Sequence, residues 1–400
     1  MKTIYNFLTV RPLRKSLKRT LRSSANKKMA LDIQKEFKDN TVLIFQHQFF
    51  DATGTKCFNG GAERYVQDLA TILSKSGYSP ILIQQGSRQT GLWKKQVGDL
   101  LVIGAPVKSG DCYLQLAASF TKFKLAIYSG AYHWGKKLLH PNVMISHGIT
   151  WDTPEKNVQC SKILSILNDV DSFVSVDTNT ISWFRSTFSK SISNKTLTYI
   201  PNYVDTSIFK PVKKADNGRI KVCFPRRASS ERGYWLISRV LPSILDKYSN
   251  VDFDFVGFAH GAKISNDIER LLKLYPGRVT HKVVTPDEMV SVYQQSDISL
   301  IPTLYSEGTS LSCLEAQACG NVVISTNVGG LSNLVIDQYN GLLINPNANE
   351  LLAALDTVIS NAELFNYLAN NAVKVSSAFD KNIWDKKWSA LFEAIIPINT

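Results

Sequence analysis

Two glutamates eight residues apart, Glu307 and Glu315, follow the apolar run ISLIP in the segment SEGTSLSCLEAQACG. Glu307 falls in the turn after that run, and Glu315 a little over two helical turns later. If a helix opens near Ser310, the backbone N–H groups of Gly308, Thr309, Ser310 and Leu311 are free to face a cleft, where they and the helix dipole favour an anion. An acid at a helix start suits the dipole, but a carboxylate so close to a phosphate pocket is electrostatically odd for a mere cap. A second strand-to-helix junction holds Gly60 and Gly61, which let a phosphate or sugar approach the backbone, although a tight turn there calls for glycine anyway. The spacing G-x-G-x-x-G is absent, which weighs against a dinucleotide redox enzyme.

Such junctions need a sheet behind them. From residue 41 short apolar runs alternate with helix-length stretches: VLIFQ, PILIQQ, DLLVIG, FKLAIYSG, NVMISHG, DSFVSVD and LTYIPN. This rhythm predicts a parallel sheet covered on both faces. After the polar stretch 210–218, read as the linker, it restarts as IKVCFPR, VDFDFVGF, RVTHKVV, ISLIP, NVVIST and GLLIN. The expected architecture is α/β: two Rossmann-like doubly wound domains facing across a cleft. The expected divisions are a basic arm over 1–40, an N-terminal domain over 41–209, a C-terminal domain over 210–375 and a closing amphipathic helix over 376–400. That last helix carries Ile383, Trp384, Trp388, Leu391 and Phe392 at helical spacing.

A length of 400 residues exceeds what one core usually organises, and 44% hydrophobic with 20% charged residues lies in the globular range. No run of eighteen apolar residues and no secretory signal pattern is present. The six cysteines, Cys57, Cys112, Cys160, Cys223, Cys313 and Cys319, lack metal-ligand or redox spacing and read as buried thiols of a reducing compartment. The net charge of +13 is concentrated in residues 1–30, which hold nine Lys and Arg and no acid. From Pro12, leucines at 13, 17 and 21 recur every four residues among basic ones. Such a segment suits an anionic membrane surface, and equally a solvated tail or a helix packed on the body. Nucleic acid is disfavoured, because no aromatics stand between the arm's charges.

Several stretches, in order, resemble the large retaining glycosyltransferase family four, which has the GT-B fold. They are GGAER at 60–64, ISHG at 145–148, IPNYVDTSIFKP at 200–211, RASSERG at 227–233, the Glu307 to Glu315 spacing, and NVGGLSNLVIDQYNGLLINP at 327–346. The resemblance runs from about residue 42 to the end and points to the bacterial surface-polysaccharide type. It implies that Arg227 and Arg232 clasp the diphosphate of a nucleotide-sugar donor, aided by the amides of Thr309, Ser310 and Leu311 and by Gly60 and Gly61. Arg227 is preferred to Arg226 for its spacing to Arg232.

By the same resemblance Glu315 accepts hydrogen bonds from the ribose, and the catalytic residues are Glu307, which with Gly308 meets the donor sugar and stabilises charge at its anomeric carbon, and His147, which lines the cleft opposite and contacts the sugar; from its own residues His147 reads rather as a structural strand-end histidine. Thr309 and Ser310 stand where the family commonly has an aromatic and a glycine, Arg232 replaces its usual lysine, and Asn333 replaces a frequent glutamate. No cofactor or metal is implied. The D-x-D of Asp252 and Asp254, which metal-dependent GT-A transferases use, lies inside a strand pattern instead.

The function implied is transfer of a hexosyl or deoxyhexosyl unit, with retention, from a nucleoside diphosphate sugar to a hydroxyl of a growing, lipid-linked glycan in surface polysaccharide synthesis. The expected place is the cytoplasm, peripheral on the inner face of the cytoplasmic membrane through residues 1–30. The alternative is a non-catalytic nucleotide-sugar binder or scaffold of the same fold.

Overall fold

The computed structural model describes residues 24–58, 60–87, 89–106, 123–130, 138–148, 160–214, 217–305 and 307–396. Residues 1–23, with the leucine-spaced part of the basic arm, lie outside that set, as does Ser306. Residues 24–36, counted with the arm above, form helix α1 (Ser24–Glu36), whose Ile33 is buried in the first lobe's core. Its Asp32 and Glu36 pair with Lys94 at 2.7 and 2.6 Å, so this stretch is part of the folded body.

The first lobe is built on β1 (Thr41–Phe45), β2 (Ser79–Gln85), β3 (Trp93–Val97), β4 (Leu100–Ala105), β5 (Leu125–Ser129), β6 (Asn142–Ser146), β7 (Ser172–Ser175) and β8 (Thr196–Tyr199). They lie in the order β3-β4-β2-β1-β5-β6-β7-β8. Every pairing is parallel except β3 with β4. Sequence reading missed β3: its sequence WKKQV has no apolar run, because it is an edge strand whose middle residues face outward. A turn at Gly98, φ +53, closes that hairpin. The helices are α2 (Gly61–Lys75), α3 (Cys160–Asn168), α4 (Thr178–Thr187) and α5 (Ser189–Ile192).

The second lobe follows with β9 (Ile220–Phe224), α6 (Tyr234–Lys247), β10 (Val251–Val256), α7 (Ala262–Leu274), β11 (Val279–Lys282), α8 (Met289–Gln295) and β12 (Ile298–Ile301). It is completed by α9 (Leu311–Ala318), β13 (Val322–Thr326), β14 (Gly341–Ile344), α10 (Ala348–Ser360), α11 (Ala362–Ser376) and α12 (Lys381–Ile395). The strand order β11-β10-β9-β12-β13-β14 is parallel throughout.

Both sheets reverse their direction of winding once, between β1 and β5 in the first and between β9 and β12 in the second. Such switch points open a crevice beyond the carboxyl ends of the strands, where ligands of open α/β sheets bind. All six strands expected in the second half are present.

The passage between cores comes earlier than the polar stretch 210–218 suggested. Tyr203 packs in the first lobe's core, whereas Val204 and Phe209 pack in the second's. Apolar burial sets the boundary, and the polar stretch only continues an exposed connection. Helix α12 then returns to the first lobe, burying the apolar face that its spacing implied. Trp384, Trp388, Phe392 and Ile396 are buried with Tyr65, Val66 and Ile200, and Trp388 Nε1 donates to the Tyr65 hydroxyl at 3.1 Å. Cys223, Cys313 and Cys319 are buried free thiols, and Cys57 is partly exposed.

Trp388 is fully buried, so Trp388→Ala is expected to cost about 3–5 kcal/mol in chemical denaturation. Ile383→Ala, on the exposed side of the same helix, is expected to stay within about 0.5 kcal/mol.

Candidate functional site

In the second lobe, β12 ends at Ile301 and the chain turns through Thr303 and Glu307 to Ser310, the N-cap of α9. The Ser310 hydroxyl accepts from the Cys313 amide at 3.4 Å, and no acid stands in the first turn, so the helix start stays electropositive. Across the switch point β9 delivers Arg226, whose Nη2 lies 3.1 and 3.3 Å from the two Glu307 carboxylate oxygens. Arg232 Nη1 donates to the same carboxylate, Thr303 Oγ1 donates to it at 2.8 Å, and Arg226 Nη1 donates to Thr303 at 2.7 Å.

Glu307 is only 7% exposed. Burial alone would raise its carboxyl, but the facing charges of Arg226 and Arg232 prevail and hold it below its ordinary value. Burial in turn lowers the Arg226 guanidinium. Arg232 reaches Glu307 because Gly233, at φ +82, lets its loop press on the β12 exit: a Cβ there would lie 1.8 Å from the Pro302 carbonyl oxygen.

The structure separates the neighbouring arginines. Arg226 meets Glu307, while Arg227 is exposed and outside the cluster. Spacing to Arg232 could not decide this, since the chain between them is a loop whose path is set by pairing of Ala228 with the Phe258 to His260 segment.

Four other predicted residues of the second lobe stand at the seam between the lobes. Glu315 is buried on α9, with Oε1 2.7 Å from Arg64 Nη2 of the first lobe and Oε2 accepting from the Tyr293 hydroxyl at 3.1 Å. Gly308 and Gly148 let the two backbones touch: a Cβ on Gly148 would lie 2.8 Å from Gly308 N, and one on Gly308 would lie 2.5 Å from His147 O. Thr309 Oγ1 donates to the Val176 carbonyl, and its own carbonyl accepts from Asn202 at 2.6 Å. The Leu311 side chain faces Gly61, where a Cβ would lie 2.8 Å from it.

At the first lobe's glycine pair both residues are exposed, with Glu63 beside Gly60 and Leu311 beside Gly61. Gly60 caps α2, and the Glu63 carboxylate folds over it, raised by burial even though backbone amides at Gly60 and Glu63 bind it. His147, just beyond β6, holds Ser129 Oγ through Nε2 at 3.0 Å and meets the Tyr65 ring edge-on at 5.0 Å. Burial lowers it to about 4, leaving the imidazole neutral near pH 7.

Sequence reasoning missed Thr303, Tyr293 and Ser129, for which no signal existed, and Arg64 and Asn202, which stood inside GGAER and IPNYVDTSIFKP without a role. Asp252 and Asp254 lie away from this cluster in β10, paired with Arg219 and with Lys221 and Lys282. Among the described residues no group of three His, Cys, Asp or Glu is placed to hold a metal ion, and no helix is long and apolar enough to cross a membrane.

Two parallel-rich α/β lobes with a site in the seam and a last helix returning to the first lobe define the GT-B fold. Residues 205–375 match the family of glycosyl transferases group 1. The sucrose-phosphate synthase of Thermosynechococcus elongatus superposes with a TM-score of 0.72 at 17% identity, over 89% of this chain and 98% of that one. The Anabaena protein HepE in complex with UDP gives 0.66 at 16%, over 88% and 100%. An uncharacterised glycosyltransferase of Methanocaldococcus jannaschii is 29% identical over 176 residues, 41% of each chain. The N,N'-diacetylbacillosaminyl-diphospho-undecaprenol alpha-1,3-N-acetylgalactosaminyltransferase of Campylobacter jejuni is 26% identical over 137 residues, 34% of this chain and 36% of that one. The chain spans about two-fifths of the length of the curated relatives it matches first.

His147 supplies a prediction. Its folded value of about 4 lies below the ordinary 6.5, so the unfolded chain takes up the proton first. The stabilisation is therefore complete above pH 6.5 and is lost as pH falls toward 4. His147→Gln is expected to flatten the acid slope of urea stability over that window by up to about 3 kcal/mol; an unchanged slope would refute the assignment.

Proposed function

We propose that this protein is a retaining glycosyltransferase. It moves a hexosyl or deoxyhexosyl unit from a nucleoside diphosphate sugar to a hydroxyl of a growing, lipid-linked glycan of a surface polysaccharide. The observation that carries the reading is the convergence of Arg226, Arg232 and the amino end of α9 on the turn that holds Glu307. A diphosphate seated there meets two guanidinium groups and free amides, each charge-assisted hydrogen bond worth about 1.5–3 kcal/mol. As the bond from the anomeric carbon to the phosphate breaks, the electron pair leaves on the diphosphate, and these cations stabilise it without a divalent metal. Arg226 takes the role first given to Arg227. Glu307, held ionised, faces the positive charge that develops at the anomeric carbon, and Glu315 accepts the ribose hydroxyls.

The donor class is supported by the resemblance and by the UDP complex of HepE. A lipid-linked acceptor is supported by the name of the Campylobacter relative and by the basic residues 1–30, which suit the inner face of the cytoplasmic membrane. Retention and metal independence rest on the family resemblance.

A thermal-shift panel of UDP, GDP and dTDP sugars tests the donor, because a cognate one at a hundredfold excess over its Kd stabilises by about 2.7 kcal/mol. With that donor, Glu307→Gln and Arg232→Ala are each expected to lower turnover about 10²–10³-fold. Gln is used because Ala would leave Arg226 buried and unpaired. Full turnover in both variants would overturn the proposal.

A further inference from the structure

Arg64 is the one residue of the GGAER segment whose side chain crosses the cleft. It lies in the first turn of α2, and its guanidinium ends 2.7 Å from Glu315 of the second lobe. This ion pair joins α2 of the first lobe to α9 of the second. The partners differ in environment. Arg64 is about one-third exposed at the cleft, whereas Glu315 is buried and has one other hydrogen-bond partner, the hydroxyl of the fully buried Tyr293. Arg64 occupies one carboxylate oxygen and Tyr293 the other, so the carboxylate plane is held from two sides while each oxygen keeps a second lone pair. Asp68, one turn along α2, adds a favourable charge near the arginine and is itself paired at 3.4 Å with Lys381 of α12.

We propose that Arg64 is a positioning residue by which the first lobe aims Glu315 at a ribose diol, so that closure of the cleft and recognition of the nucleotide's sugar hydroxyls are one event; this rests on the transferase reading above. A diol donates two hydrogen bonds to a carboxylate only if the carboxylate is correctly turned. Arg64 reaches Glu315 from the opposite lobe, so it can hold that orientation only with the lobes together. By linkage, whatever Arg64 adds to diol binding, the diol returns to closure.

The test titrates the full chain with UDP, GDP and ADP and with the 2′,3′-dideoxy form of each, by calorimetry, in wild type, Arg64→Met and Arg64→Lys. Thermal melting checks that each variant is folded, and Arg64→Lys, which keeps the charge, serves if Arg64→Met is not. Wild type is expected to prefer the ribonucleotide. Arg64→Met is expected to weaken the cognate ribonucleoside diphosphate about tenfold while leaving its dideoxy form nearly unchanged, so that the preference collapses. Arg64→Lys is expected to recover part of the preference, having charge without the fork. Equal weakening of both forms, as from a guanidinium that merely attracts the diphosphate, would overturn the inference, and so would an unchanged ratio. A wild type that binds no nucleotide would instead overturn the transferase reading and this inference with it.

Discussion

A carboxylate buried between two guanidinium groups organises this molecule. Isolated, Glu307 would be expensive to bury, and so would Arg226. With Arg232 and Thr303 they pair with one another, leaving Arg226 Nε without a partner, and breaking such a group by removing one member typically costs about 3–5 kcal/mol. The surrounding backbone answers to that requirement. β9 and β12 must be adjacent for Arg226 and Glu307 to meet, and Gly233 must adopt a left-handed conformation for the Arg232 loop to lie on the β12 exit. The cluster carries two positive charges against one negative, so it holds net positive charge beside the electropositive start of α9.

The cluster is only half of a site, because the other half comes from a different sheet. The lobes meet through backbone at Gly148 and Gly308, through Thr309 to Val176, and through Asn333 with Thr178. Glycines at the two closest points remove the side chains that would hold the lobes apart. The hydrophobic return of α12 keeps the chain's last segment on the first lobe, so both sheets are tied to one another at two places, through residues 203–204 and through α12. The neutral imidazole of His147 and the capped, carboxylate-covered turn at Gly60 give the first lobe's face little positive charge. The cations of the site are thus mostly the second lobe's, with Arg64 as the first lobe's contribution.

Much of this was legible in the amino-acid order because the signals are local. Buried parallel strands are continuous apolar runs, and thirteen of the fourteen strands were read that way, whereas β3, an edge strand with polar residues, carries no such run. Ser310 as a cap and Glu307 in the turn before it follow from a strand, a turn and a helix in sequence. Trp384, Trp388 and Phe392 at helical spacing showed which face of α12 would be buried, and their burial with Tyr65 shows against what.

Local signals do not say how a loop turns or what lies across a cleft. Arg226 and Arg227 are equivalent as letters. Only the path of the loop past Ala228 and Gly257 puts one guanidinium on Glu307 and the other in solvent. Arg64 and Glu315 are 251 residues apart, and nothing short of the two sheets closing on each other brings them to 2.7 Å. The sequence by itself determined the two-lobed α/β architecture and the chemistry available at each strand end, because periodicity and turn chemistry act over a few residues. Which charges pair, and therefore which side chains make the site, was decided by the tertiary structure, because electrostatic pairing depends on distance in space rather than along the chain.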